Sequence, residues 1–289
     1  MIKNNFTVPQ LGIVLFLVLA LNGCSKGDKA DNKAKISDIG KTKASTLKPA
    51  TLAGAGGVLD YYSFITQPSN GVFGIKSYGT RNQQSNTRAT FVGGSFVDAN
   101  NNPLPGGPVS IGPLSLVDSV VSGTDSYGLS SIQSPSLFGN NTTFNINPNP
   151  NGSVTGKNAT ATLYAPALIY FNTLSSGSII EAGATLTWNG DPLNPQNVLI
   201  VIEYDPGLAA NASKAAQYPN RITTSLSVTD NGSYQFVDPQ FNPFPLGSTL
   251  SVKLIRLNYA KVTSTDGTNT YLIYSYNGVE ALFFYPVAS

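Results

Sequence analysis

The chain of 289 residues contains no histidine, one cysteine, one methionine and one tryptophan. Without His, a Ser–His–Asp triad, an imidazole general base and a His-ligated metal are all excluded. A single Cys excludes an internal disulfide and a thiolate zinc cluster. Charge is scarce as well: Asp, Glu, Lys and Arg make up 11%, less than half the roughly 25% of an ordinary soluble domain. The chain also lacks a Gly-x-Ser-x-Gly elbow, a phosphate-binding loop and a Rossmann fingerprint. No catalytic residue, metal site or cofactor is expected. Glycine (28) and proline (19) are plentiful, which favours many turns.

The N-terminus carries an address. Lys3 precedes an apolar stretch of 11 residues, Leu11 to Leu21. A membrane-spanning helix needs about 20 apolar residues. The shorter stretch has the length of a signal-peptide hydrophobic region. It runs into Leu21-Asn22-Gly23-Cys24, which holds the only cysteine of the chain. These four residues resemble a bacterial lipobox, Leu-x-Gly-Cys, with Asn22 where Ala, Ser or Thr is usual. The resemblance implies removal of residues 1–23, a diacylglycerol on the Cys24 thiol and acylation of the new amine. Two or more chains, at about 0.8 kcal/mol per buried methylene, would hold the protein firmly on a bilayer. Ser25 after the cysteine resembles sorting to the outer membrane.

Residues 24–50 contain seven Lys and three Asp, and no aromatic residue. A segment so poor in apolar side chains does not bury enough surface to offset the entropy of ordering. It is expected to be a flexible tether of about 25–30 Å r.m.s. reach. From Thr51 onward nine Lys and Arg face 12 Asp and Glu, so the part expected to fold is mildly acidic. With four Arg and no basic stripe, nothing points to nucleic acid.

The remainder has the pattern of an all-β protein. In Ala184-Thr185-Leu186-Thr187-Trp188 the large side chains take one face and the threonines the other. Leu250, Val252 and Leu254 alternate with Ser251 and Lys253. Val198 to Ile202 is continuously apolar, as expected of a strand buried on both faces. Further strands are expected at Val58–Ile65, Thr90–Val97, Val109–Val117, Thr142–Ile146, Thr160–Tyr164, Ser233–Val237, Tyr271–Tyr276 and Val279–Tyr285. Only Leu208 to Gln217, Ala-rich between Pro206 and Pro219, has the character of a short helix. Many short strands at this spacing indicate β-sandwiches of about 100 residues each. Two are expected, at 51–150 and 151–289, with the boundary in the Pro/Asn/Gly stretch Asn147 to Ser153. One elongated two-sheet domain is the alternative.

Local motifs sharpen the fold class. Phe96-Val97-Asp98 followed by Pro103-Leu104-Pro105-Gly106-Gly107-Pro108-Val109-Ser110-Ile111 resembles the opening hairpin of prealbumin-like sandwiches. Asp230-Asn231-Gly232-Ser233-Tyr234 is similar to the tyrosine corner of immunoglobulin-like sandwiches, and implies that the Tyr234 hydroxyl bonds backbone. Leu186-Thr187-Trp188 with Ile202-Glu203-Tyr204 resembles early strands of fibronectin type III modules. Such folds host many functions, so function has to be argued from sites.

The candidate ligand-binding residues are Trp188, Asp191, Tyr218, Phe241 and Phe244. Trp188 ends a strand beside Asn189, Gly190 and Asp191, polar groups suited to orienting hydroxyls. Phe236, Phe241 and Phe244 lie among three prolines, where rigid aromatics would stack on sugar rings or enter a partner's pocket. The structural alternative is that these rings plug the sandwich. Asp98 to Asn102 begins like a calcium loop but has Pro103 where Gly belongs and Val109 where Glu belongs. Asp118-Ser119-Val120 resembles a bacterial O-glycosylation acceptor. Glu203 and Asp205, two apart, fall on one side of an extended strand, the only hint of paired carboxylates for glycoside hydrolysis. The expected protein is a non-catalytic lipoprotein of the outer membrane whose sandwiches bind a glycan or an envelope protein. The alternatives are a structural subunit joined by edge-strand pairing, and a carboxylate-dependent glycoside hydrolase.

Overall fold

The computed structural model describes residues 69–81, 86–96, 109–116, 118–121, 124–130, 137–147, 158–173 and 176–287. The lipobox, the expected tether, the Val58–Ile65 strand and the calcium-like loop lie outside them. The described strands are β1 (Gly71–Arg81), β2 (Asn86–Phe96), β3 (Val109–Ile111), β4 (Leu114–Leu116), β5 (Asp118–Val121), β6 (Thr124–Ser130) and β7 (Asn140–Ile146). They continue with β8 (Ala159–Ala165), β9 (Thr185–Thr187), β10 (Val198–Tyr204), β11 (Ile222–Val228), β12 (Ser233–Gln235), β13 (Ser248–Thr263) and β14 (Thr270–Tyr285). One short helix, α1 (Ala212–Ala215), follows a 3₁₀ turn at Ala209–Asn211, within the stretch expected to be helical. No helix of the described residues is long and apolar enough to cross a membrane.

The fold is an all-β sandwich. Its large sheet has eight strands in the order β11-β10-β13-β14-β1-β2-β6-β5. A four-stranded sheet, β4-β3-β7-β8, and the short pair β12-β9 are separate from it. The long antiparallel ribbon of β13 and β14 organises both layers. Along β13 every second residue from Leu250 to Val262 is buried, and each faces a buried partner on β14, from Phe283 to Tyr271. One end of this row, Leu250, Val252 and Leu254, joins a core with Leu186, Trp188 and Phe236. The other end, Ala260 and Val262, joins a core with Phe144 and Leu163 of the four-stranded sheet. Each large apolar side chain so buried contributes roughly 1.5–3 kcal/mol.

This topology corrects the expected division at residue 150. β1 pairs with β14 in parallel over eleven registered residues, Gly71↔Tyr271 to Arg81↔Ala281. Strands from both sides of residue 150 therefore share one sheet. The physical reason is that β14, already paired with β13 on one edge, has a second row of backbone groups to satisfy, and β1 satisfies them. The stretch taken for a linker instead connects β7 to β8, which pair antiparallel from Asn140↔Ala165 to Ile146↔Ala159. Antibody-type sandwiches are built from antiparallel sheets, so the parallel β1–β14 pair is a departure from that pattern.

Close approach explains the glycines of the sheet. A Cβ on Gly94 would lie 2.2 Å from the Val72 carbonyl oxygen and 2.8 Å from the Phe73 Cα. Both obstacles are backbone, so nothing can swing aside. Gly94→Ala is expected to cost about 1–3 kcal/mol in thermal denaturation by prising β1 from β2; an unchanged melting temperature would contradict this pairing. On the opposite side of the sheet, the Tyr274 ring lies over Gly74.

Candidate functional site

Four of the five candidate ligand-binding residues, Trp188, Asp191, Phe241 and Phe244, are buried, and the fifth, Tyr218, is half-buried against the second core. Trp188 is 2% exposed, and its Nε1 donates to Asp230 Oδ1 at 2.9 Å. Asp191, 4% exposed, accepts from the Tyr164 hydroxyl (3.0 and 3.1 Å to its two oxygens) and from the backbone N–H groups of Ala167 and Leu193. Burial, then the bond to Asp191, pushes the Tyr164 phenol well above its ordinary value. Phe241 and Phe244 are buried. Phe241 stacks on Tyr285 at 5.4 Å and meets Phe236 edge-on at 5.4 Å. Tyr218 is half-buried, its ring edge-on to Tyr204 and its carbonyl accepting from the Tyr204 hydroxyl at 3.2 Å. Trp188, Phe241 and Phe244 thus follow the structural alternative, in which the rings plug the sandwich. The apolar area of these rings is worth more against the second core than in water.

The loop of three phenylalanines folds inward because its polar atoms find local partners. A 3₁₀ turn, Asp238–Gln240, brings the Gln240 side chain back to accept from the Val237 N–H at 3.0 Å. The Gln240 amide also donates to the Tyr234 hydroxyl. That bond corrects the tyrosine-corner expectation, since Tyr234 meets a side chain where backbone was expected. Gly232, at φ 92°, supports the preceding turn; a Cβ there would lie 3.0 Å from the Trp188 carbonyl oxygen.

Between the two apolar cores runs a belt of buried polar groups, the most distinctive chemistry of the described residues. Arg256 and Asn277 are paired across β13 and β14, as are Asn258 and Ser275, and all four are completely buried. The belt continues through Ser77 of β1, opposite Asn277, to Thr90 of β2. At its centre Arg256 grips Asp230 with two bonds, Nε to Oδ2 at 2.7 Å and Nη2 to Oδ1 at 2.8 Å. Its Nη1 donates to the carbonyl of Ala167 (2.7 Å) and its Nη2 also to that of Asn189. Asn277 accepts from the Ile169 N–H at 3.2 Å and donates to the Ala167 carbonyl at 2.8 Å. The belt therefore sews the segment Pro166 to Tyr170, which leads from one covering layer to the other, onto the large sheet.

Burial alone would raise the pKa of Asp230. Hydrogen bonds from Arg256, Trp188 and Asn194, with the charge of Arg256, outweigh it and hold the carboxyl below its ordinary range. Sequence reading missed Arg256 as a key residue. The available signal was its register: it continues the inward row Leu250, Val252, Leu254, where a cation requires a buried anion.

The acids considered for glycoside hydrolysis lie on the opposite face of the sheet, held by cations. Glu203 lies 3.4 Å from the Lys253 ammonium and 3.8 Å from Arg221, and Asp205 lies 2.6 Å from Arg221. Arg221 is a partner that the two acids share, with Glu203 in β10 and Asp205 just after it. Glu280 accepts from Tyr78 and Ser251. Burial, then the carboxylate of Glu280, raises the Tyr78 phenol far above its ordinary value, so it is a fixed donor. No group of three or more Asp, Glu, Cys or His suited to a metal ion is assembled among the described residues. Ser119, of the glycosylation-like triplet, falls in β5. Comparison with known proteins gives no matching family model and no significant match to a curated protein.

Proposed function

We propose that this is a lipid-anchored, non-catalytic protein of the bacterial outer membrane whose sandwich serves as an assembly module. The observation that carries the anchor is the single cysteine of the chain standing in Leu21-Asn22-Gly23-Cys24, directly after an apolar stretch of signal length. Support for an assembly role comes from the body. Trp188, Phe241 and Phe244 are in the core, and both acids considered for hydrolysis, Glu203 and Asp205, are engaged by cations. A glycan site on rigid loops needs exposed rings and free polar edges, so a protein partner fits these surfaces better.

Fractionation of the cell envelope tests this reading. Wild-type protein is expected in the detergent-extracted membrane fraction, beginning at Cys24 and carrying acyl chains. Cys24→Ser is expected to carry none and either to keep residues 1–23 or, if these are removed, to be soluble. A Cys24→Ser protein that lacks residues 1–23 and still partitions with the membrane as the wild type does would defeat the anchor. A stoichiometric protein in the detergent extract is expected on pull-down, and retention on polysaccharide resin without any protein partner would favour a glycan receptor instead.

A further inference from the structure

We infer that β11 is a self-association edge: two copies pair their β11 strands antiparallel about a two-fold axis at Ser225, merging two eight-stranded sheets into one. This rests on the reading of the sandwich as an assembly module and is independent of the lipid anchor. Every sheet ends in two strands with a row of backbone donors and acceptors on the outer side, and proteins blunt such edges with brevity, charge, proline or bulges. The large sheet ends in β5 and β11. β5 has four residues and begins with Asp118. β4, β9 and β12 have three residues each.

β8 is as long as β11 and equally uncharged, but backbone acceptors near both its ends are already engaged. Asn258 donates to the Tyr164 carbonyl at 2.8 Å, and the Thr265 N–H donates to the Asn158 carbonyl at 2.9 Å just before the strand. Among the described residues, β11 alone combines a length of seven residues with no charge, no proline and an open outer side. Its register with β10 runs from Val198↔Val228 to Tyr204↔Ile222 with no bulge to twist the edge away. Ile222, Leu226 and Val228 pack against the second core yet stay only half-buried, as expected where one more strand would complete the cover.

The strand fits its own copy. With the axis at Ser225, Ile222 opposes Val228 and Thr224 opposes Leu226 on the core side, while Thr223 opposes Ser227 on the other. Directly opposed residues of an antiparallel pair point to the same side, so the apolar row of one copy continues into the next. No charge is opposed to a like charge. The nearest cation, Arg221, lies outside the paired residues and is held by Asp205 at 2.6 Å. An edge without charge offers nothing to select a basic or acidic peptide over this match.

Sedimentation of the full chain in detergent tests the pairing. A dimer is expected for the wild type at micromolar concentration. Thr223→Lys with Ser227→Lys, which opposes like charges at both symmetric pairs, is expected to weaken it by at least about tenfold. Thr223→Lys with Ser227→Glu, which opposes unlike charges across the two copies and places the lysine opposite Glu203 of β10, is expected to keep the dimer. Hydrogen exchange on the wild type gives a second reading that needs no variant: β11 amides should gain protection as concentration rises. A monomer at every concentration, or a dimer indifferent to both double variants, would overturn the proposal. A monomer that co-purifies with a different protein in stoichiometric amount would overturn self-pairing while leaving the assembly reading in place.

Discussion

Arg256→Met is expected to lower the melting temperature by about 10–15 °C, the largest effect of any single polar substitution in the described residues. The guanidinium is completely buried, and its side chain reaches a carboxylate and two carbonyls. Removing it leaves Asp230 as an unpaired anion with a side chain 4% exposed, which costs about 3–5 kcal/mol. The freed Asn189 carbonyl adds to that, since a buried acceptor without a donor costs about 1–3 kcal/mol, whereas the Ala167 carbonyl keeps its bond from Asn277. Because native stability is only about 5–15 kcal/mol, much of the fold's margin depends on this contact. Replacing Arg256 and Asp230 together by apolar residues should cost less than Arg256→Met alone, because no buried charge is then orphaned.

The same pair sets an acid limit. The folded-state pKa of Asp230 is depressed, so the unfolded chain binds the proton first as pH falls. The stabilisation is complete above the unfolded carboxylate value of about 3.9 and is lost as pH drops through the folded value. Denaturation at a series of acidic pH values should show this slope in the wild type and a flatter one in Asp230→Asn. Equal slopes would remove Asp230 as the titrating group.

Trp188→Ala is expected to cost about 3–5 kcal/mol, the range for emptying a large aromatic site in a core. The indole is 2% exposed and joins both halves of the structure's logic. Its ring fills the second core, and its Nε1–H feeds the buried carboxylate. Trp188→Phe separates the two contributions. It keeps most of the packing and removes one of the donors to Asp230, so a loss of about 1–2 kcal/mol is expected, together with a partly restored Asp230 pKa. A Trp188→Ala variant as stable as wild type would mean that the ring is not packed, and would return Trp188 to the list of surface candidates.

The strands most legible in the sequence are those whose pattern follows from burial. Val198 to Ile202 is apolar at five successive positions, and all five are buried: Val198, Ile200 and Ile202 in the second core, Leu199 and Val201 in a smaller cluster with Ile255, Leu257 and Tyr276 of the same sheet. The runs at Val109, Thr142 and Thr160 correspond to β3–β4, β7 and β8. β1 was illegible because glycines and polar residues interrupt it. Its place is dictated by β14, some two hundred residues away, and no local pattern encodes a parallel pairing of that separation. The expected strands at Tyr271–Tyr276 and Val279–Tyr285 are one strand, β14. Asn277, which interrupts the apolar pattern, spends its amide on the Ile169 N–H and the Ala167 carbonyl, so it does not turn the chain.

The candidate site was misread for a related reason. Phe241 and Phe244 among prolines, and Trp188 beside Asp191, have the composition of a binding loop, and composition carries no direction. Direction came from partners far along the chain: Asp230 for Trp188, Tyr164 for Asp191, Tyr285 for Phe241. The inward register of Leu186 was the local clue to Trp188.

One mass measurement bears most directly on the proposed role. Peptides from the native, membrane-extracted protein should begin at Cys24 and carry the added mass of a thioether-linked diacylglycerol and an N-acyl chain. An intact residue 1 to 23 segment, or a processed chain with a free Cys24 thiol, would contradict the anchor and the location proposed from it.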